Sequence, residues 1–262
     1  DDLANYNTRL NIWLKEGRSK GYKTYLGLEP FSGDRKILDV PPSMIDTILS
    51  INNEIWREEF KRISRKNIEM HKPDYFNPCV EVNMWYSVAS QEEWQLFRQL
   101  YNEIYVETKE ISPSTKVFCS LQYDLMSGQL YGNSDTQWEL LEDESIALQN
   151  QDFLGLSTYP YGEINGWFDN LSGKTDKKIF IAETGIAASV SPQAHTEAQK
   201  EYIEQMPNLL SNLEVEAVLW LTLADMDPNV LPGLPEWLYN IGLLDKSLNP
   251  KQTWESWKNM RL

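Results

Sequence analysis

Two glutamates stand where carboxylate chemistry is possible. Glu81 closes Cys79-Val80-Glu81 and Glu183 closes Ile181-Ala182-Glu183, each near the end of a short apolar run and 102 positions apart. A charge in such a setting is costly unless it faces a polar or solvated site. Two carboxyls set across one bond are what cleavage of a glycosidic linkage requires. One stays protonated to give its proton to the leaving oxygen, while the other is ionised to attack the anomeric carbon or activate water. Taken singly, either glutamate could equally be a strand-end residue paired with a lysine or a helix N-terminus; their occurrence on two separate runs favours a site. Glu29 is a third carboxylate of this type, expected either to bind substrate hydroxyls or to pair with Arg35 or Lys36. Gln122 and Tyr123 end another run and are weaker candidates.

The elements that must position these groups are six apolar runs separated by helical patterns. The runs are Lys23–Pro30, Asn77–Asn83, Lys116–Tyr123, Asp152–Tyr161, Lys178–Gly185 and Ala217–Asp225. Each is rich in β-branched, aromatic or aliphatic residues and is followed by turn or polar residues. Helical patterns are expected over residues 1–20, Met44–Glu69, Glu92–Lys109, Asp143–Gln149 and Thr196–Asn212. Such alternation predicts an α/β fold with a parallel sheet covered on both faces, wound as a TIM-type (β/α) barrel or as an open sheet. No linker, repeat or low-complexity tract divides it, so residues 1–262 are expected to form one domain. Six βα units are two short of a full barrel. The chain is then a fragment or an incomplete barrel, equivalent to strands 3–8, whose exposed Lys23–Pro30 and Ala217–Asp225 edges would be closed by rearranged segments or by another chain in a homo-oligomer.

The net charge of −15 and a sequence pI of about 4.6 disfavour nucleic acid and anionic membrane surfaces as partners. The longest apolar stretches fall well short of the roughly 20 residues of a membrane-spanning helix. Aromatic residues reach 12%, including 10 Trp and 13 Tyr, so rings are available to stack on sugar faces, although most are expected in the core. Two cysteines, Cys79 and Cys119, provide neither a disulfide framework nor a zinc pattern, and the redox compartment stays open.

Four motifs in order give the pattern a family resemblance. The segment Ile181–Gly185 (IAETG) resembles the seventh-strand nucleophile segment of clan A glycoside hydrolases, the group holding cellulase, mannanase and galactanase families. Pro78–Trp85 (PCVEVNMW) resembles the fourth-strand acid/base segment, and the spacing fits three intervening βα units. Leu154–Tyr161 (LGLSTYPY) is similar to the sixth strand, and Val218–Leu221 (VLWL) with Asn240–Trp257 is similar to the eighth strand and final helix. The family within the clan is not resolved. The resemblance implies a retaining glycoside hydrolase acting on oligo- or polysaccharides with β-linked neutral sugars, without a cofactor or metal, in a secreted or periplasmic setting. Glu183 would be the nucleophile, Glu81 the acid/base, Tyr159 the partner that orients Glu183, and Trp220 the floor of the subsite. Trp85, Tyr86, Tyr161, Trp167 and Trp237 are loop aromatics that could extend it or simply pack between loops. Where the clan has Asn before the acid/base, this chain has Val80; Asn83, two residues on and of the same strand parity as Glu81, is the residue that could supply the amide instead. That departure keeps open a second reading, a weak or inactive carbohydrate-binding barrel.

Other signals fail on their own terms. Ser172-Gly173-Lys174-Thr175 has Phe168 where a phosphate loop needs its first glycine. Asp225, Asp227, Asn229 and Glu236 match a calcium loop, but Val230 replaces its central glycine. His71 and His195 lie in polar contexts and read as exposed surface residues, and the Asn170-Leu171-Ser172 sequon carries no weight.

Overall fold

The computed structural model describes residues 2–33, 35–38, 50–130, 133–161, 163–186, 192–230, 232–234 and 236–262; side chains of residues 2–9 and 192–195 are outside the description. In chain order the elements are α1 (Asp2–Ser19), β1 (Tyr25–Gly27), α2 (Glu54–His71), β2 (Tyr75–Asn77), α3 (Val82–Tyr86), α4 (Gln91–Ile111), β3 (Lys116–Val117) and β4 (Ser120–Gln122). They continue with α5 (Tyr123–Met126), α6 (Glu139–Glu142), β5 (Leu154–Thr158), β6 (Ile179–Thr184), α7 (Pro192–Leu209), β7 (Val215–Trp220), α8 (Glu236–Tyr239) and α9 (Gln252–Asn259). The six apolar runs thus become seven strands, because Lys116–Tyr123 is interrupted at Phe118 and Cys119. The chain divides into two compact units, residues 1–121 with 139–153 and residues 122–138 with 154–262.

In the first unit β1, β2 and β3 pair in parallel in that order. Helix α2 starts where Asn53 accepts the Ile55 N–H and stops at Lys72 in the left-handed region. It buries Trp56, Phe60, Ser64, Ile68 and His71, one stripe at helical spacing. Helix α4 opens on a capping box, with Ser90 and Glu93 each satisfying the other's backbone N–H. Its buried stripe is Trp94, Phe97, Leu100, Tyr101 and Ile104, and the helix lies beside α2, joined to it by the Lys61–Glu103 and Arg65–Glu107 ion pairs. Of the expected Met44–Glu69 helix, only the part from Glu54 is observed; residues 39–49 lie outside the described residues. The expected Asp143–Gln149 helix is not formed. Instead α6 ends at Glu142, and the carbonyls of Glu144, Ser145 and Ala147 turn to the Arg98 guanidinium while that of Ile146 accepts from Trp94 Nε1. A local Asp143–Ser145 turn, in which the aspartate accepts both the Ser145 N–H and its hydroxyl, competes with the helix there.

In the second unit β5, β6 and β7 run parallel in that order, with register shifts between Leu156 and Ser157 and between Ile181 and Thr184. Every residue of β5 is buried, as is β6 apart from Glu183, so both read as continuous apolar runs. Helix α7 buries Tyr202, Ile203 and Met206. Among the described residues β1 and β7 each pair with a neighbour on one side, as β3 and β4 do at the other ends of their sheets. Beyond β7 the chain continues to a bridge between Ala224 and Leu244. At the crossing Gly242 lies so close to the Ala224–Asp225 peptide that a Cβ would sit 2.2 Å from Ala224 C and Asp225 N. Gly242→Ala is therefore expected to destabilise the chain by about 1–3 kcal/mol, visible as a lowered Tm with the fold retained.

Candidate functional site

In the first unit β2 overlaps the apolar run that carries Glu81 only at its first residue. It ends at Asn77 rather than reaching Asn83, because Pro78 has no N–H to offer a ladder. The buried Asn77 side chain replaces the ladder. Its Oδ1 accepts the N–H groups of Cys79 (3.1 Å) and Ser120 (3.3 Å), and its Nδ2 donates to Tyr25 Oη and Ser120 Oγ, both at 2.9 Å. Ser120 Oγ in turn accepts the Glu81 N–H at 3.1 Å. Glu81 therefore lies four residues past the strand, with φ 51° and ψ 42°, in the left-handed region and at the N-cap of α3. A non-glycine residue in that conformation stores strain of about 1–3 kcal/mol, tolerated where the surroundings over-determine it.

This geometry overturns two expectations. Asn83 follows Glu81 into a helix, so strand parity does not apply, and Asn83 is completely buried rather than presented to a ligand. Trp85, expected at the substrate, is buried with its ring stacked on Phe31 (5.4 Å between centroids) and tilted against Trp94 and Phe97. Tyr86 packs edge-on to Trp94 and donates to Glu139. A feature absent from the sequence reading is the cation beside Glu81. The turn after Phe31, closed by the Phe31–Leu38 bridge, puts Arg35 in the left-handed region at φ 59°. Its guanidinium lies 2.8 Å from Glu29 Oε1 through Nη2 and 3.4 Å from Glu81 Oε2 through Nε. The Glu29–Arg35 pairing was one of the two expected roles of Glu29; the shared contact with Glu81 had no local signal.

In the second unit Glu183 is the one half-exposed residue of β6, in register with Ser157 of β5. The register shifts on either side re-aim side chains at the strand ends. Tyr159, the first residue past β5, donates from its hydroxyl to Glu183 Oε2 at 2.7 Å. Its ring lies 5.3 Å from that of the half-buried Trp237. The contact between Tyr159 and Glu183 is the one that the sequence motifs imply; Trp237 was expected only as a loop aromatic.

Trp220 is not placed as the motifs imply. Its ring is buried against Tyr202 of α7 and Trp257 of α9, and Nε1 donates to Ile241 O at 2.6 Å, so it belongs to the layer between sheet and helices. Tyr123 is fully buried as well, with its hydroxyl on Trp167 O and its ring against Phe168 and Trp138. Trp167 is buried, donating to Thr158 Oγ1, whereas Tyr161 is exposed. Gln122 caps α5 by accepting from Leu125 N. Asp124, which the sequence reading did not single out, is almost wholly buried and accepts from Thr158 Oγ1, Tyr159 N and Gln122 Nε2; burial pushes its carboxyl upward despite these bonds.

His71 is buried, not exposed, with Nδ1 2.9 Å from Asn11 Oδ1, and burial together with Arg18 pushes its pKa down. The side chain of His195 lies outside the described residues. Asp225 of the failed calcium pattern is a brace, accepting Lys251 Nζ at 2.5 Å and the Gly242 N–H at 2.9 Å. Among the described residues no group of three or more His, Cys, Asp and Glu could hold a metal ion. Lys174 of the Ser172–Thr175 segment lies over the Trp138 ring.

No protein-family model and no curated protein matches the chain. Solved structures do. A GH5_18 variant from Bifidobacterium longum in complex with Manβ1-4GlcNAc aligns with a TM-score of 0.68 at 10% identity, over 96% of this chain and 62% of that one. The Ignisphaera aggregans GH53 catalytic domain gives 0.68 at 16% identity over 96% and 78%, and Thermotoga maritima xylanase 10B gives 0.61 at 16% over 96% and 78%. At such identities the likeness is one of fold alone: the chain has the TIM-type (β/α) barrel fold of these clan A glycosidases, present incompletely.

The Asn77 network yields a stability prediction. Asn77→Ala strands the Cys79 and Ser120 N–H groups and loosens the Ser120 hydroxyl that holds Glu81, so it should cost about 2–4 kcal/mol in denaturant unfolding.

Proposed function

We propose, with the clan A fold as premise, that this chain is a retaining glycoside hydrolase of β-linked neutral glycans in which Glu183 attacks and Glu81 is the acid/base. The observation that carries this reading is the 2.7 Å hydrogen bond from Tyr159 to Glu183, the half-exposed carboxylate near the end of a buried parallel strand. A phenol donating to one carboxylate oxygen stabilises the ionised form and fixes its direction, as a nucleophile needs. Glu183 would form the bond to the anomeric carbon as the linkage to the leaving oxygen breaks, and Glu81 would give that oxygen its proton. Water, deprotonated by Glu81, would then release the sugar from Glu183. The reading requires the two carboxyls to lie roughly 5–5.5 Å apart across the scissile bond. Trp237, half-buried against Tyr159, takes the stacking role that Trp220 cannot.

A second reading, a carbohydrate-binding barrel without effective turnover, is favoured by Arg35. Its guanidinium lies 3.4 Å from Glu81 Oε2 and so pairs the carboxyl that the first reading needs as a proton donor. The burial of Asn83 points the same way, since the amide expected from that position is not presented to a ligand.

One experiment separates the two. Incubated with aryl β-glycosides and with β-glucan, mannan and galactan, the enzyme should show turnover that Glu183→Gln lowers by about 10³-fold or more, roughly 4 kcal/mol of barrier. Glu81→Gln should lower it by about 10²-fold or more. Absence of turnover with oligosaccharide binding retained establishes the second reading, and activity indifferent to both substitutions refutes the assignment of these glutamates.

A further inference from the structure

The second unit holds a buried carboxylate that the proposed reaction does not use. Asp124 is 3% exposed, and its three side-chain contacts are all with donors. Oδ1 accepts the Thr158 hydroxyl at 2.5 Å, and Oδ2 accepts the Tyr159 N–H and Gln122 Nε2, each at 2.9 Å. Thr158 and Tyr159 are the last residue of β5 and the first beyond it, where the ladder to β6 ends. The same two residues are tied onward. Thr158 Oγ1 accepts Trp167 Nε1, and Thr158 O accepts the Thr184 hydroxyl, which also bonds Tyr202. Tyr159 carries the hydroxyl that reaches Glu183.

We infer that Asp124 is a positioning residue for the nucleophile: by gripping the backbone of Tyr159 and the side chain before it, Asp124 fixes the phenol, and the phenol fixes Glu183. This rests on the reading of Glu183 as nucleophile. A neutral apolar side chain at position 124 would fill space but leave the Tyr159 N–H without its acceptor, and the backbone at that corner would turn to seek another. An asparagine retains one acceptor and can keep it on Tyr159 N by turning its amide nitrogen to Thr158 Oγ1. The chemistry at position 124 therefore separates gripping from mere packing. Reorientation of a nucleophile by about 1 Å is worth up to 10²-fold in rate.

The test is a double-substitution cycle on the full chain with the aryl β-glycoside of that panel turned over fastest, together with crystal structures of each variant. Asp124→Ala is expected to lower kcat about 10- to 100-fold with KM within about twofold, and Asp124→Asn to restore most of the loss. In a Tyr159→Phe background Asp124→Ala should add no further loss, and the crystal structure of Asp124→Ala should lack the contact between Tyr159 Oη and Glu183. Losses that multiply across the two substitutions, or a contact that survives in Asp124→Ala, overturn the inference. Turnover that survives Glu183→Gln refutes the parent reading instead, and the crystallographic comparison still decides whether Asp124 holds Tyr159. Should Asp124→Ala fail to fold, Thr158→Val, which unhooks one carboxylate oxygen, is expected to lower kcat only while the Tyr159 hydroxyl is present; an equal effect in Tyr159→Phe overturns the proposal.

Discussion

A parallel strand that ends inside a protein leaves peptide groups with no further ladder to join, and a buried N–H or C=O without a partner is costly. In both units one buried side chain meets that demand. Asn77 takes up the N–H groups of Cys79 and Ser120 where β2 stops, and Asp124 takes up the Tyr159 N–H where β5 stops. Each choice has a consequence one step downstream. Ser120, aligned by Asn77, holds the backbone of Glu81, while Tyr159, aligned by Asp124, holds the carboxylate of Glu183. The candidate chemistry thus sits one hydrogen bond away from the groups that terminate the strands.

The two glutamates are held in opposite ways. Glu183 is met by a neutral phenol that directs one oxygen and leaves the side chain half-exposed. Glu81 is buried beside a guanidinium it shares with Glu29, and both Glu81 and Arg35 occupy left-handed backbone conformations. Two strained non-glycine residues whose side chains meet imply local packing strong enough to enforce them. An ion pair of this kind can be opened by a bound ligand that offers Arg35 or Glu81 other partners, so the charge balance at Glu81 is where the enzyme and binding readings divide.

The aromatic residues explain a further part of the site by where they are not. Trp85, Tyr123, Trp167 and Trp220 are buried in contacts with other rings, backbone carbonyls or, for Trp167, the Thr158 hydroxyl, and they supply packing. Trp237, Tyr86 and Tyr161 are the candidates left with accessible surface, and the Trp237 ring lies 5.3 Å from that of Tyr159. High aromatic content was a fair indication of rings to spare, but most of them serve the core.

Much was determined by the sequence itself. Continuous apolar runs such as Leu154–Thr158 and Ile179–Thr184 can only be strands covered on both faces, and helical stripes such as that of α4 must lie against them, so the α/β pattern and the six units follow from local periodicity. The IAETG and STY segments likewise placed Glu183 and Tyr159 at strand ends, because β6 runs through Glu183 and β5 stops just before Tyr159. Tertiary structure decided the rest. An apolar run does not reveal where its ladder ends: Pro78 cut β2 short, put Glu81 in a turn, and sent Asn83 and Trp85 into the interior on a helix. The Asn77-Pro78 pair was a turn signal available beforehand. The Arg35–Glu81 contact and the grip of Asp124 on Tyr159 join residues 46 and 35 positions apart, and no periodicity records which distant donor will meet a buried carboxylate.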